Sequence, residues 1–435
     1  MRKIYRLSLW ICGIAALALL LSLLLGQQDW SKPLAVLTAV ALALGLGALP
    51  ALKGYQYTAW IIVAVVAGMI YPQAFDHWGN INLRDKTLIL IIIQLVMFGM
   101  GTHMSLRDFQ GLAKTGKGVA IGLLCHFSIM PLMGLLLITI FKFEPEIAAG
   151  VILIGSCSSG LASNVMVYLA RANLVLSVIV TAIATLAAPF LTPLLMKTFA
   201  GTLIEVHFID MMIEIIKIVI VPIGAALLHD YLKHASAAKT SRIQAIAVLC
   251  GVYAVTILLW GYAYAADNEF SAPALQSLEL SGFLASAVLA GVLYNKLYRV
   301  LPKVDQFMPF ISMFGIIYFT TITTAAGRDN LMKVGFLLFI ASVIHNAAGY
   351  FFGYWLSRLF GLDKNSSRTV AFEVGLQNGG MASGLAGSMG KLGTVGLAAA
   401  VFSPWMNISG SILANYWRKR PVEENKKENG KNTEL

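Results

Sequence analysis

The sequence predicts an all-α polytopic membrane protein, and three observations carry that class. Hydrophobic residues fill 58% of the 435 positions and charged residues only 12%, against about 25% charged in soluble globular chains. Apolar runs near the ~20 residues that span a hydrocarbon core recur from end to end. The net charge of +11 comes from Lys and Arg in the short connectors, which the positive-inside rule explains without a nucleic-acid partner.

The elements follow in order. A basic start and an apolar run, Leu7 to Leu25, open the chain. The run is long for a secretion signal and no A-x-A cleavage site follows, so it reads as a retained first helix. About fourteen spans are expected in all. They lie near 7–26, 33–50, 56–75, 86–104, 118–140, 146–170 and 174–198, then 209–228, 243–266, 280–298, 305–326, 331–359, 367–390 and 394–417. Most Lys and Arg fall on one side when the N-terminus is inside, so both termini are expected to be cytoplasmic. The tail from Arg418, RKRPVEENKKENGKNTEL, is polar and charge-mixed, hence a disordered cytoplasmic segment. Cys12, Cys125, Cys157 and Cys250 lie in apolar runs without CxxC spacing and are expected to be reduced and structural.

Two spans carry the chemistry. EVGLQNGG, residues 373–380, places a carboxylate and then amides and glycines inside an apolar span. A charge at the bilayer centre costs about 2.5–3.5 kcal/mol on insertion scales, and the glycines disfavour a continuous helix. The other span, 155–195, has Gly160 where a helix can open, followed by Ser163 and Asn164. Ser177 and Thr181 are four apart and share a helix face. With Glu373 they offer hard oxygens and one negative charge, a set suited to Na⁺ rather than to Ca²⁺ or a transition metal. Plain hydrogen bonding between helices accounts for the same hydroxyls equally well on spacing alone. SSGLASNV (158–165) is similar to NGGMASGL (378–385), and His126 and His345 each precede one of these motifs. Such pairing is the trace of a transporter built from inverted repeats.

These residues carry a likeness to a known family. GVILIGSCSSGLASNVMVYLARANLVLSVIVTAIATLAAPFLTPLL, EVGLQNGG, FSPWMNISGSILANYW (402–417) and MFGMGTHMSLRDF (97–109) resemble the bile acid:sodium symporters, over about 55–234 and 300–418. The resemblance implies a bacterial inner-membrane protein with a ten-helix core of two inverted repeats, divided into panel and core domains. Two broken helices would cross at mid-membrane. Residues 1–54 would be an extra N-terminal helix pair and 235–299 an inserted pair. Segment 55–234 would hold the first repeat and the first helix of the second, 300–418 the remainder, and 419–435 the tail. One sodium site would use Ser163, Asn164, Ser177, Thr181 and Glu373. A second would use Glu373, Val374, Leu376 and Gln377, with Val374 and Leu376 acting through backbone carbonyls.

Three departures bear on function. His126 stands where relatives commonly place a glutamine of the second site, which leaves that site altered, absent or proton-linked. A Pro-Gly-Gly-Thr-like segment of bacterial relatives appears as Ser158-Ser159-Gly160-Leu161, and a His-Asn pair as Met406-Asn407. The expected function is sodium-coupled symport of an organic anion, a carboxylate or a bile-acid-like molecule, by alternating access. Asn378, Asn407, Leu161 and Gly380 are the expected substrate contacts. Proton coupling through His126 and Glu373 is the alternative within transport, and a membrane-embedded enzyme or a receptor the alternative outside it. The serines of GSCSSG lack the G-x-S-x-G elbow and His/Asp partners of a nucleophile. Glu214 and Lys217, three apart, are expected to pair on one helix face.

Overall fold

The computed structural model describes residues 2–49, 52, 55–107, 112–268 and 270–422; the remainder of the expected tail lies outside them. Ten helices are long and apolar enough to cross a membrane, and three shorter apolar helices accompany them among the described residues. The protein is an all-α, multi-pass membrane protein.

The chain begins with α1 (Arg2–Leu24), α2 (Gln28–Gly45) and α3 (Gln56–Ile70), which stack in that order. A two-residue hairpin, His77–Trp78 on Ile81–Asn82, leads to α4 (Lys86–Gly101). Asp85 starts α4 by accepting the amides of Thr87 and Leu88, donors that would otherwise lack partners. Next come α5 (Leu112–Phe141), the half-helices α6 (Pro145–Ser156) and α7 (Leu161–Leu169), and α8 (Leu174–Ala200), which Asn173 caps. α9 (Phe208–Ile215) continues through a π-helical turn, Ile216–Ile220, into α10 (Val221–His234). α11 (Ala237–Thr256), α12 (Tyr262–Asp267) and α13 (Ala272–Val300) fill the inserted region. α14 (Val304–Ala326), α15 (Arg328–Leu359), the half-helices α16 (Lys364–Gly375) and α17 (Gly379–Ser388), and α18 (Gly396–Arg418) complete the chain.

Several helices outrun their apolar stretches. α13 starts at Ala272 rather than near 280, and α5 at Leu112 rather than near 118. Hydropathy marks the lipid-immersed part of a helix, whereas its backbone ladder continues through the interface until a cap or turn stops it.

Two packing groups result. α14 packs on α3 and α4, and α4 on α10, with α2 against α3, α1 against α2, α13 against α10 and α11 against α13. α5, α6, α8, α15, α16 and α18 form the second group, and α17 bridges from α18 to α4. Lipid supplies little hydrophobic drive between helices, so close contact depends on small residues. A Cβ on Gly349 would fall 2.8 Å from the Gly375 Cα, so glycine at 349 lets α15 and α16 touch backbone to backbone.

Candidate cation site

The breaks in α6–α7 and α16–α17 cross and complete each other. Ser159 and Gln377 form an antiparallel bridge. The Gly160 amide donates to the Leu376 carbonyl at 3.2 Å, and the Asn378 amide to the Ser158 carbonyl at 2.8 Å. Inside a membrane an interrupted helix must satisfy its backbone within the protein, and these bonds do so. A Cβ on Gly160 would lie 3.2 Å from the Gln377 carbonyl oxygen, so a small residue keeps the crossing close. Asn378 then starts α17, its Oδ1 accepting the Met381 amide at 3.0 Å. The second half-helix therefore begins at Gly379.

The last turn of α16 brings Glu373 to this crossing, fully buried. Its Oε1 accepts from the Ser177 hydroxyl at 2.5 Å. Its Oε2 accepts from Ser159 at 2.7 Å and Thr181 at 2.8 Å. Asn164 joins the cluster, with Oδ1 at 2.7 Å from the Ser177 hydroxyl and 3.2 Å from that of Thr181. The Ser163 hydroxyl donates to the Gly160 carbonyl at 2.8 Å and lies 3.4 Å from Thr181. All five residues expected around the first cation are thus together. Ser159 is a further member that the sequence reading missed; its only signal was its place beside the helix-opening Gly160.

The electrostatics are one-sided. No ion pair among the described residues includes Glu373. Each hydroxyl donor to a carboxylate contributes about 1.5–3 kcal/mol net, yet hydroxyls solvate a charge without neutralising it. What the cluster can do chemically is hold a small monovalent cation among hard oxygens.

The second expected set is arranged differently. His126, fully buried on α5, places Nδ1 2.9 Å from the Glu373 carbonyl and Nε2 2.8 Å from the Cys157 carbonyl. A neutral imidazole carries one N–H and donates to one of them. The Val374 carbonyl accepts from the Gln377 side-chain amide at 2.7 Å, and the Leu376 carbonyl accepts from Gly160. The residues are neighbours, but each carbonyl faces a protein partner. His345 donates through Nε2 to the Met130 carbonyl at 3.0 Å, and Asn346 donates to the Gly375 carbonyl at 2.7 Å. Both act as ties within the helix group.

The expected substrate residues surround the start of α17. Leu161 follows Gly160, which faces Gln377 and Asn378. Gly380 turns toward Met97 of α4, 3.5 Å from where its Cβ would be. Asn407 donates to the Ser403 carbonyl at 2.9 Å, and Ser403 packs on Gly379. Two buried polar atoms here have no partner, the Gln377 Oε1 and the Asn378 Nδ2.

Away from the crossing, Lys217 in the π-helical turn meets Glu214 at 2.5 Å, the pairing expected from their spacing. The structure adds Glu279 of α13 at 3.2 Å, a partner 62 residues away that local periodicity could not reveal.

Comparison with known proteins agrees with this architecture. Residues 90–267 match the Sodium Bile acid symporter family. A sodium-dependent transporter of Bacillus subtilis (strain 168), YocS, is 31% identical over 84% of this chain and 92% of its own length. A chloroplastic sodium/metabolite cotransporter of Arabidopsis thaliana is 28% identical over 83% and 72%. The ileal sodium/bile acid cotransporter of Homo sapiens is 27% identical over 72% of each chain. These relatives are named as transporters, not enzymes, and the chain belongs to the sodium bile acid symporter family.

Proposed function

We propose that the protein is a secondary active transporter that moves an organic anion together with sodium by alternating access. The single observation that carries this reading is the fully buried Glu373 carboxylate, surrounded by hydroxyl and amide oxygens and lacking an ion-pair partner among the described residues. A charge left alone at mid-membrane costs about 2.5–3.5 kcal/mol even on insertion scales. Sodium at Ser159, Ser163, Asn164, Ser177, Thr181 and Glu373 would remove that charge and tie the two crossing breaks together. The names of the relatives support sodium as the coupled ion.

In this reading one sodium is carried per cycle. The Val374 and Leu376 carbonyls that a second ion would need already accept internal bonds, and the His126 ring lies against the Glu373 carbonyl. The anion would bind at the positive end of α17, where the helix dipole favours negative charge. There the Asn378 Nδ2 is a free donor, with Leu161, Gly380 and Asn407 around it. The α3–α4–α10–α14 group would form a panel against which the other helices move, and the halves 55–234 and 300–418 would follow the inverted repeat. The extra helix pairs ride on that panel. Both termini would face the cytoplasm of a bacterial inner membrane.

Uptake into proteoliposomes tests this reading, with candidate acids chosen by a thermal-shift screen with and without sodium. Accumulation of an organic acid only under an inward sodium gradient is expected. Uptake indifferent to sodium, or driven by a pH step alone, would contradict sodium coupling.

A further inference from the structure

A cavity with several charged residues on its walls lies apart from the crossing helices. Its volume is about 440 Å³, and Arg107, Asp230, Tyr231, His234, Ser236 and Lys239 contribute to its walls. Three separate segments meet there: the turn after α4, the C-terminal end of α10 and the first turn of α11. One membrane-length helix run ends at His234 and the next begins at Ala237, which sets the cavity at the level of lipid headgroups. Tyr231 is of the residue type that gathers at that level.

The charges on its walls do not balance. Asp230, the one acid there, accepts from the Ser105 hydroxyl at 2.8 Å and lies 3.7 Å from Lys233, which also meets Asp305 at 3.1 Å. Arg107 and Lys239 have no carboxylate partner among the described residues. The Ser236 side chain does not cap α11, so the amides of its first turn also face this side. Positive-inside placement explains basic residues on one face. It does not explain why two from different segments line one cavity that holds a single acid.

We propose that this cavity binds a phosphate group, that of an anionic phospholipid headgroup. Arg107 would grip the phosphate oxygens with its planar fork, and Lys239 would add a point charge. The lipid would then join the turn leading out of α4 to the inserted helix α11. The level of the cavity favours a lipid over a soluble phosphate, because a headgroup is held at that depth by its own acyl chains.

The test uses the full chain in nanodiscs of phosphatidylcholine with graded phosphatidylglycerol, and inorganic phosphate as a separate arm. Binding is read by native mass spectrometry and by the melting temperature. Phosphatidylglycerol should bind and raise the melting temperature of the natural protein. Arg107→Gln with Lys239→Gln should weaken that binding about thirtyfold, since each cation near an anionic surface gives about fivefold. Both side chains are exposed, so the double variant should melt like the natural protein in phosphatidylcholine alone. Arg107→Lys should retain part of the binding. Phosphatidylglycerol binding unchanged in the double variant would overturn the site. So would inorganic phosphate that reproduces the whole effect while the lipid adds nothing, because the ligand would then be a soluble anion.

Discussion

The Ser159 hydroxyl donates to the Glu373 carboxylate at 2.7 Å across a separation of 214 residues. One residue lies in the extended break of α6–α7 and the other in the last turn of α16, so this bond reports directly on the crossing. Ser159→Ala should leave the fold intact, because the side chain becomes smaller in a fully buried place. It should weaken apparent sodium affinity by at least tenfold, since a hydrogen bond to a charged group is worth about 1.5–3 kcal/mol. Sodium titration of thermal stability or of uptake checks this.

The close approach of α17 to α18 gives a paired test. A Cβ on Gly379 would fall 1.9 Å from the Ser403 hydroxyl. Gly379→Ala should therefore destabilise the protein by about 1–3 kcal/mol, the range for overpacking, and abolish uptake. Adding Ser403→Ala removes the atom in conflict and should restore part of both. The restoration stays partial because the Ser403 Cβ remains 3.1 Å away.

Lys217 is held by one acid of its own helix and one of the inserted α13. Glu279→Gln leaves Glu214 in place, and Glu279 is partly exposed, so a loss of at most about 1 kcal/mol is expected. Lys217→Met should cost more, because it leaves two carboxylates facing each other without a cation. Melting temperatures of the two variants, in that order, decide whether α13 is electrostatically tied to the panel.

The engaged carbonyls around His126 bear on stoichiometry. Uptake against sodium concentration should follow a Hill coefficient near 1. A coefficient near 2 would mean that a second ion displaces the bonds now made by His126, Gln377 and Gly160.

Much of this was legible in the sequence for physical reasons. A lipid-immersed helix must be apolar along its length, so spans are readable from composition, and the glycines of 155–160 and 375–380 mark where helices open. Glu373, Ser163, Asn164, Ser177 and Thr181 could be singled out because polar oxygens are costly in such segments. Ser159 escaped because a serine in a small-residue run has no periodic partner. The contact of His126 with two carbonyls, and of Glu279 with Lys217, depends on packing between segments that no local pattern encodes. The start of α17 at Gly379 is set by the Asn378 cap.

The most direct measurement of the central claim is the melting temperature of the natural protein and of Glu373→Gln in sodium chloride and in potassium chloride of equal ionic strength. Ligand that binds only the folded state stabilises it by RT ln(1 + [L]/Kd), about 1.4 kcal/mol at ten times Kd. The natural protein should gain stability in sodium and not in potassium. Glu373→Gln should melt identically in both, at or above the natural protein's temperature without sodium, since its buried charge is gone. A sodium-specific rise of equal size in Glu373→Gln, or none in the natural protein, would contradict the assignment of Glu373 as the sodium carboxylate.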